Sequence, residues 1–134
     1  MTAGTHYHDW LVDLRRELHR RPEPAWREFY TTARIVEQVQ GFGVGELHIG
    51  PDALDSDARL GVPDDVELSE WADRAREAGA DPELLGRMAG GHTGAIAVLN
   101  RGEGPTVALR VDIDGLPRAE SNSPDHHPTA EGFR

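Results

Sequence analysis

The chain of 134 residues contains no cysteine and no lysine. Without cysteine its own residues can form neither a disulfide nor a thiolate-ligated zinc site. Without lysine every formal side-chain cation is an arginine, and 14 of these face 24 carboxylates, for a net charge of −10. No dense basic stripe runs along the chain, so nucleic acid is not an expected partner. An acidic surface of this kind mainly favours solubility. Aromatic residues make up 6% and hydrophobic residues 37% of the sequence, which implies a lean core and one modest domain. No apolar run approaches the ~18 residues that mark a membrane span, so no membrane association is expected. The opening MTAGTHYHDW lacks the charged segment and apolar stretch of a secretory signal, and the expected compartment is the cytoplasm. Also missing are a Gly-x-Ser-x-Gly elbow, a His-Glu-x-x-His pair and any internal repeat, which leaves a serine hydrolase or a zincin unsupported.

The most informative stretch that is present covers residues 106–118, TVALRVDIDGLPR. Val107, Leu109 and Val111 alternate with Ala108, Arg110 and Asp112, and a period of two predicts a strand. Asp112 and Asp114 project from one face of an extended chain. Asp114-Gly115 is a turn signal, and Pro117 cannot continue a ladder. Such a strand would deliver two carboxylates to its C-terminal end, where open α/β sheets place ligand sites. The same residues also suit a strand that runs into an ordinary polar turn. Two carboxylates favour a hard or borderline cation but are too few to define its site.

The remaining pattern is mostly helical. Residues 1–7 are expected to be a loose tail. Trp10, Leu11, Leu14 and Leu18 then form the apolar stripe of a helix over residues 8–21. Pro22 and Pro24 are expected to end it and to begin a second helix, with Trp26, Phe29, Ala33, Val36 and Gln40 on one face. Gly41 and Gly43 stop that helix. Residues 44–49 alternate weakly and could form a strand, and residues 52–63 read as a loop. Asp64 followed by Glu67 has capping-box spacing ahead of a helix striped by Leu68, Trp71, Ala72, Ala75 and Ala78. Asp81-Pro82-Glu83 starts a short fourth helix that ends at Gly90-Gly91. Residues 95–99, AIAVL, are apolar throughout and read as a strand buried on both faces. They are expected to pair with 106–112 as an antiparallel hairpin, or to lie beside it and diverge after Leu99. Residues 119–134 are rich in Ser, Pro, Asp and His and read as loose.

Three histidines invite a metal reading and do not sustain it. His19 sits alone near a helix C-terminus, where an imidazole suits the dipole. His126 and His127 are adjacent and point different ways, whereas zinc sites use wider spacings and further ligands. Glu23 and Glu28 are expected at the start of a helix and on its solvent face. The segment Gly90-Gly91-His92-Thr93-Gly94 lacks the Gly-Lys-Ser/Thr ending of a phosphate loop and reads as a turn into a strand.

Four segments, in order, carry a resemblance. LRRELHRRPEPAWREF (14–29), LGVPDDVELSEWADRAREAGA (60–80), GGHTGAIAVLNRGEGP (90–105) and ALRVDIDGLP (108–117) resemble the first part of the metal-dependent amidohydrolases of the aminoacylase and carboxypeptidase-G type. The resemblance spans roughly Asp9 to Phe133. It implies an α/β fold: the N-terminal part of a mixed-sheet, metallopeptidase-like catalytic domain, with helices packed on an incomplete sheet over residues 1–134. It implies hydrolysis of the amide bond of N-acyl or aminobenzoyl amino acids, with a divalent metal, zinc or manganese, as cofactor of the complete enzyme. In related peptidases a His-x-Asp pair stands where Asp112 and Asp114 stand here. Asp112 is thereby implied to lie near the metal, and Asp114 to be a carboxylate that orients a ligand or tunes the metal-bound water. The family's Cys- and His-bearing metal segment is expected beyond Arg134, so no metal is expected to bind this chain tightly. The implied partner is the remainder of the catalytic domain or a second type of chain that completes it. Two other readings stay open: a truncated or split fragment that acts only by assembly, and an unrelated acidic binding module.

Overall fold

The computed structural model describes residues 3–134 and is of mixed α/β class. The chain falls into two compact units. One comprises Met1–Pro22 with Leu116–Arg134, and the other comprises Glu23–Gly115.

The first unit is built on α1 (Ala3–His19). The expected loose tail over 1–7 is therefore helical from Ala3 onward, and its first two residues lie outside the described ones. The expected looseness of 119–134 is also corrected. This segment carries a one-turn helix, α5 (His127–Ala130), and buries Phe133. Arg16 lies 4.7 Å over the Phe133 ring, and His19 and His127 each meet it edge-on at 5.5 Å. Arg20 donates to the Gly132 carbonyl at 3.2 Å, and His19 Nε2 lies 2.7 Å from the Glu120 carboxylate. A single aromatic residue thus anchors a segment whose composition is that of a loop. The polar positioning expected for His19 holds, and neither His126 nor His127 faces a metal-ligand set among the described residues.

The second unit holds α2 (Phe29–Gly41), β1 (Glu46–Ile49), α3 (Asp65–Glu77), α4 (Pro82–Arg87) and β2 (Ala95–Val98). Its core is formed where α2, α3 and α4 meet, from Phe29, Ala33, Val36, Leu68, Ala75, Leu84, Leu85 and Met88, with Ile49 from β1. These are the apolar stripes that the helical period predicts. Asp64 caps α3 by accepting from the Glu67 amide at 2.9 Å, and Asp81 caps α4 by accepting from the Glu83 amide at 2.9 Å, with Pro82 in the first turn. Only half of the capping box forms at α3, because the Glu67 carboxylate turns to Arg27 Nε at 2.8 Å. Gly50 closes β1 at φ 73, and a Cβ there would stand 2.2 Å from the Arg87 carbonyl oxygen.

Several expectations fail here. The second helix does not begin at the prolines but at Phe29. Between the prolines and α2 the chain turns at Trp26, whose φ is 67, a left-handed conformation that is rare in a bulky residue. The hairpin of 95–99 with 106–112 is also absent. β2 pairs antiparallel with β1 instead, Glu46 opposite Val98 and Ile49 opposite Ala95. β2 is exposed along its length rather than buried on both faces, and residues 106–112 join no sheet. Val107 and Leu109 are 88% and 90% exposed. A strand exists only through a neighbour's hydrogen bonds, and none of the described elements supplies one for 106–112.

Candidate functional site

Three segments far apart in sequence meet around two buried glutamates. The first is 23–32. Its Glu23 carboxylate accepts from the amides of Tyr30 at 2.9 Å and Thr31 at 2.7 Å. These are two of the amides that the first turn of α2 leaves without an intrahelical partner. Glu23 therefore caps α2 from outside the helix, where a negative charge also suits the dipole. The Glu28 side chain makes no cap and turns inward.

The second segment is the Gly90–Gly94 turn. Thr93 is buried and its Oγ1 donates to Glu28 Oε2 at 2.5 Å. The Gly94 amide donates to Thr32 Oγ1 at 2.8 Å, which fastens the turn to α2 a second time. Gly91 sits at φ 74, and a Cβ there would stand 3.0 Å from the Trp26 carbonyl oxygen, so the turn approaches the Trp26 bend as only glycine allows. His92 braces the same turn. Its Nδ1 lies 2.8 Å from the Ala89 carbonyl oxygen, so in the neutral ring Nδ1 donates and Nε2 accepts from Ser56 Oγ at 2.8 Å. The Trp26 indole donates to the Leu60 carbonyl at 2.8 Å, and Arg59 lies 5.6 Å over its ring and donates to the Gly90 carbonyl.

The third segment is the end of the Asp112–Gly115 stretch. The Gly115 amide donates to the Glu23 carbonyl at 2.7 Å. Asp114 lies close enough to Glu28 for its charge to act on that carboxyl. Burial is the main cause that pushes the Glu28 carboxyl up from its ordinary value. The Thr93 hydrogen bond pulls it down, and the Asp114 charge raises it further. Burial also pushes Glu23 up, against the hydrogen bonds from Thr31 and Tyr30.

The residues singled out from the sequence therefore fare differently. Asp114 is exposed, and its neighbour Gly115 is tied to the node through the Glu23 carbonyl. Asp112 is exposed and pairs with Arg110 at 2.6 Å. Glu28 is not on the solvent face as expected but 8% exposed, and Glu23 is 4% exposed. Sequence reasoning missed the node because each of its carboxylates looks, locally, like a surface helix residue. The available signal was joint: two glutamates bracketing a Trp between prolines and a helix, with a threonine in a glycine-rich turn. Among the described residues no group of three or more His, Asp or Glu is placed to hold a metal ion, and a catalytic zinc needs about three protein ligands.

No family model matches the chain. Individual proteins do. The chain is 42% identical over 124 residues to indole-3-acetyl-aspartic acid hydrolase of Enterobacter agglomerans, covering 92% of this chain and 28% of that protein. It is 35% identical to a p-aminobenzoyl-glutamate hydrolase subunit of Escherichia coli (strain K12), with the same coverage. The chain is homologous to these hydrolases. The crystal structure of an aminobenzoyl-glutamate utilization protein from Klebsiella pneumoniae superposes with a TM-score of 0.77 at 38% identity, over 81% of this chain and 27% of that one. The chain thus spans little more than a quarter of the length of the relatives it matches, and the mixed α/β fold expected from the sequence is the fold found.

Proposed function

We propose that this chain is part of a metal-dependent amidohydrolase that cleaves the amide bond of N-acyl or aminobenzoyl amino acids, p-aminobenzoyl-glutamate among them. The observation that carries the reading is the 42% and 35% identity, over 92% of the chain, to two hydrolases named for amide-linked aspartate and glutamate substrates. The metal is a divalent ion, zinc or manganese, whose principal ligands come from outside this chain; the reading is supported by the lack, among the described residues, of any group of three or more His, Asp or Glu placed to hold one. Asp114 is the carboxylate through which this chain serves that site, and Asp112 stands near it. The chain alone is inactive and works with the rest of a catalytic domain or with a separate partner chain. The Escherichia coli relative, which is named as one subunit of a hydrolase, supports the need for a partner.

The test is to assay release of the amino acid from p-aminobenzoyl-glutamate, with added zinc or manganese, by this chain alone and by the full-length protein. Activity in the second and none in the first is expected. Metal-dependent hydrolysis by the 134-residue chain alone, lost on chelation and restored by zinc, would overturn the assignment of the ligands. Calorimetry on the chain alone should find only weak, nonspecific zinc or manganese binding, and one tight stoichiometric site would likewise contradict it. In the full-length protein Asp114→Asn should lower turnover by about 10–100-fold, the usual range for a group that orients a metal site.

A further inference from the structure

The turn that carries Thr93 also holds a pair of side chains that amide hydrolysis does not use. His92 stands between Gly91 and Thr93, both buried, and its own amide donates at 3.0 Å to the carbonyl of Met88, a core residue. Its ring is oriented at both nitrogens. Nδ1 faces the Ala89 carbonyl oxygen at 2.8 Å, and a carbonyl can only accept, so Nδ1 carries the proton of the neutral ring. Nε2 is then a bare lone pair, and it lies 2.8 Å from Ser56 Oγ. Ser56 is exposed and opens a 3-10 turn, Ser56–Ala58, which the Asp55 carboxylate fastens by accepting from the Asp57 amide at 3.0 Å. Arg59, at the end of that turn, donates to the Gly90 carbonyl at 2.8 Å, so the two segments are joined at two points.

A hydroxyl set on an imidazole whose far nitrogen is fixed by an acceptor is the arrangement that activates a serine. Two other hydroxyls show what distinguishes it. Thr129 Oγ1 lies 3.3 Å from His126 Nδ1, but it donates to the Ser121 carbonyl at 2.8 Å, so its proton is directed elsewhere. The Thr93 hydroxyl donates to the Glu28 carboxylate and is buried. Ser56 lacks one part of an acyl-transfer centre, an oxyanion donor after the serine. The amides of Asp57 and Ala58 are both taken by Asp55. Nor is there a wall to enclose a large acyl chain, since Asp55, Asp57 and Ala58 are all exposed.

We propose that Ser56 is a reactive serine, with His92 as its general base, that takes the acyl group of a small activated ester and keeps it. Oγ bonds to the acyl carbon, the bond from that carbon to the leaving oxygen breaks, and the Oγ proton passes through Nε2 to the departing phenol or alcohol. An ester whose phenolate leaves readily is attacked with the help of the base alone. The alkyl ester then formed on Ser56 has a poor leaving group, and its hydrolysis needs the oxyanion donor that is missing, so Ser56 is modified rather than turned over. Ser56 and His92 lie 36 positions apart, and no motif marks the pair in the sequence.

The experiment treats the full-length protein with p-nitrophenyl acetate and follows acetylation of each serine by peptide mass spectrometry. Ser56 should be acetylated about 100-fold faster than Ser69, Ser121 and Ser123, which are exposed and, among the described residues, bond to no imidazole. His92→Gln, which keeps a polar side chain but removes the base, should bring Ser56 down to the rate of the other three. The acetyl group should stay on Ser56 after the reagent is removed. A Ser56 rate equal to that of Ser69 in the unaltered protein overturns the proposal without any variant. A fast rate that survives His92→Gln overturns it too, because the imidazole is then not the base. Loss of the acetyl group, with a steady release of p-nitrophenolate that Ser56→Ala stops, overturns retention and makes the pair a turnover site instead.

Discussion

Two stretches of the Glu23–Gly115 unit have similar apolar content and opposite fates. Along α2, Phe29, Ala33 and Val36 are essentially inaccessible, because α3 and α4 lie against them. Along 106–112, Val107, Leu109 and Val111 are largely in water. The difference is whether a partner is present among the described elements. A helix satisfies its own backbone and needs only a face to pack on, which α3 and α4 provide within the same stretch of chain. A strand needs neighbours for both its backbone and its side chains, and β1 and β2 offer it neither. Exposed apolar surface of this kind is characteristic of interaction sites, and the chain spans little more than a quarter of the length of the relatives it matches.

The contrast can be broken by substitution. Phe29→Ala should destabilise the chain by about 3–5 kcal/mol, as for other buried aromatics, whereas Leu109→Ala should change stability by less than about 0.5 kcal/mol. Urea titrations of both variants check this, and equal costs would erase the distinction.

A smaller effect comes from the buried carboxyls. Folding raises both Glu23 and Glu28, so the folded state favours their protonated forms. Their contribution to stability is fully present below the unfolded glutamate pKa and is lost as pH rises through the folded values. Urea midpoints should therefore fall as pH rises above about 4.5, and Glu28→Gln should flatten that slope. A slope unaffected by Glu28→Gln would mean that Glu28 is as solvated as a surface residue. Smaller again, Asp64→Ala should cost about 1 kcal/mol through the lost cap of α3, measured by the same titration.

Much of the helical unit was legible because its signals are local. The stripes of α2 and α3, the Asp64 and Asp81 caps and Pro82 are each set by residues within one or two turns. What was not legible depends on distant partners. Glu23 caps α2 from beyond the Trp26 bend, so the prolines mark a false start for that helix. Thr93 reaches Glu28 across 65 positions, and no spacing rule predicts the pair. Phe133 turns a polar segment into an ordered one through Arg16 and two histidines, a contact that composition cannot foretell. The alternation at 106–112 expresses strand propensity, but propensity does not supply a partner. Asp114 stands out by its turn and by resemblance. Glu23 and Glu28 look like surface residues, because burial by a remote segment leaves no local mark.

We propose that 106–112, which joins no sheet among the described residues, takes up strand pairing only when a partner segment supplies the neighbour. Amide hydrogen exchange across Val107, Leu109 and Val111, measured on the chain alone and on the full-length protein, tests it most directly. The account predicts exchange near the unprotected rate in the chain alone and strong protection, comparable to that of α2, in the full-length protein. Protection already present in the chain alone, or absent in the full-length protein, would contradict it.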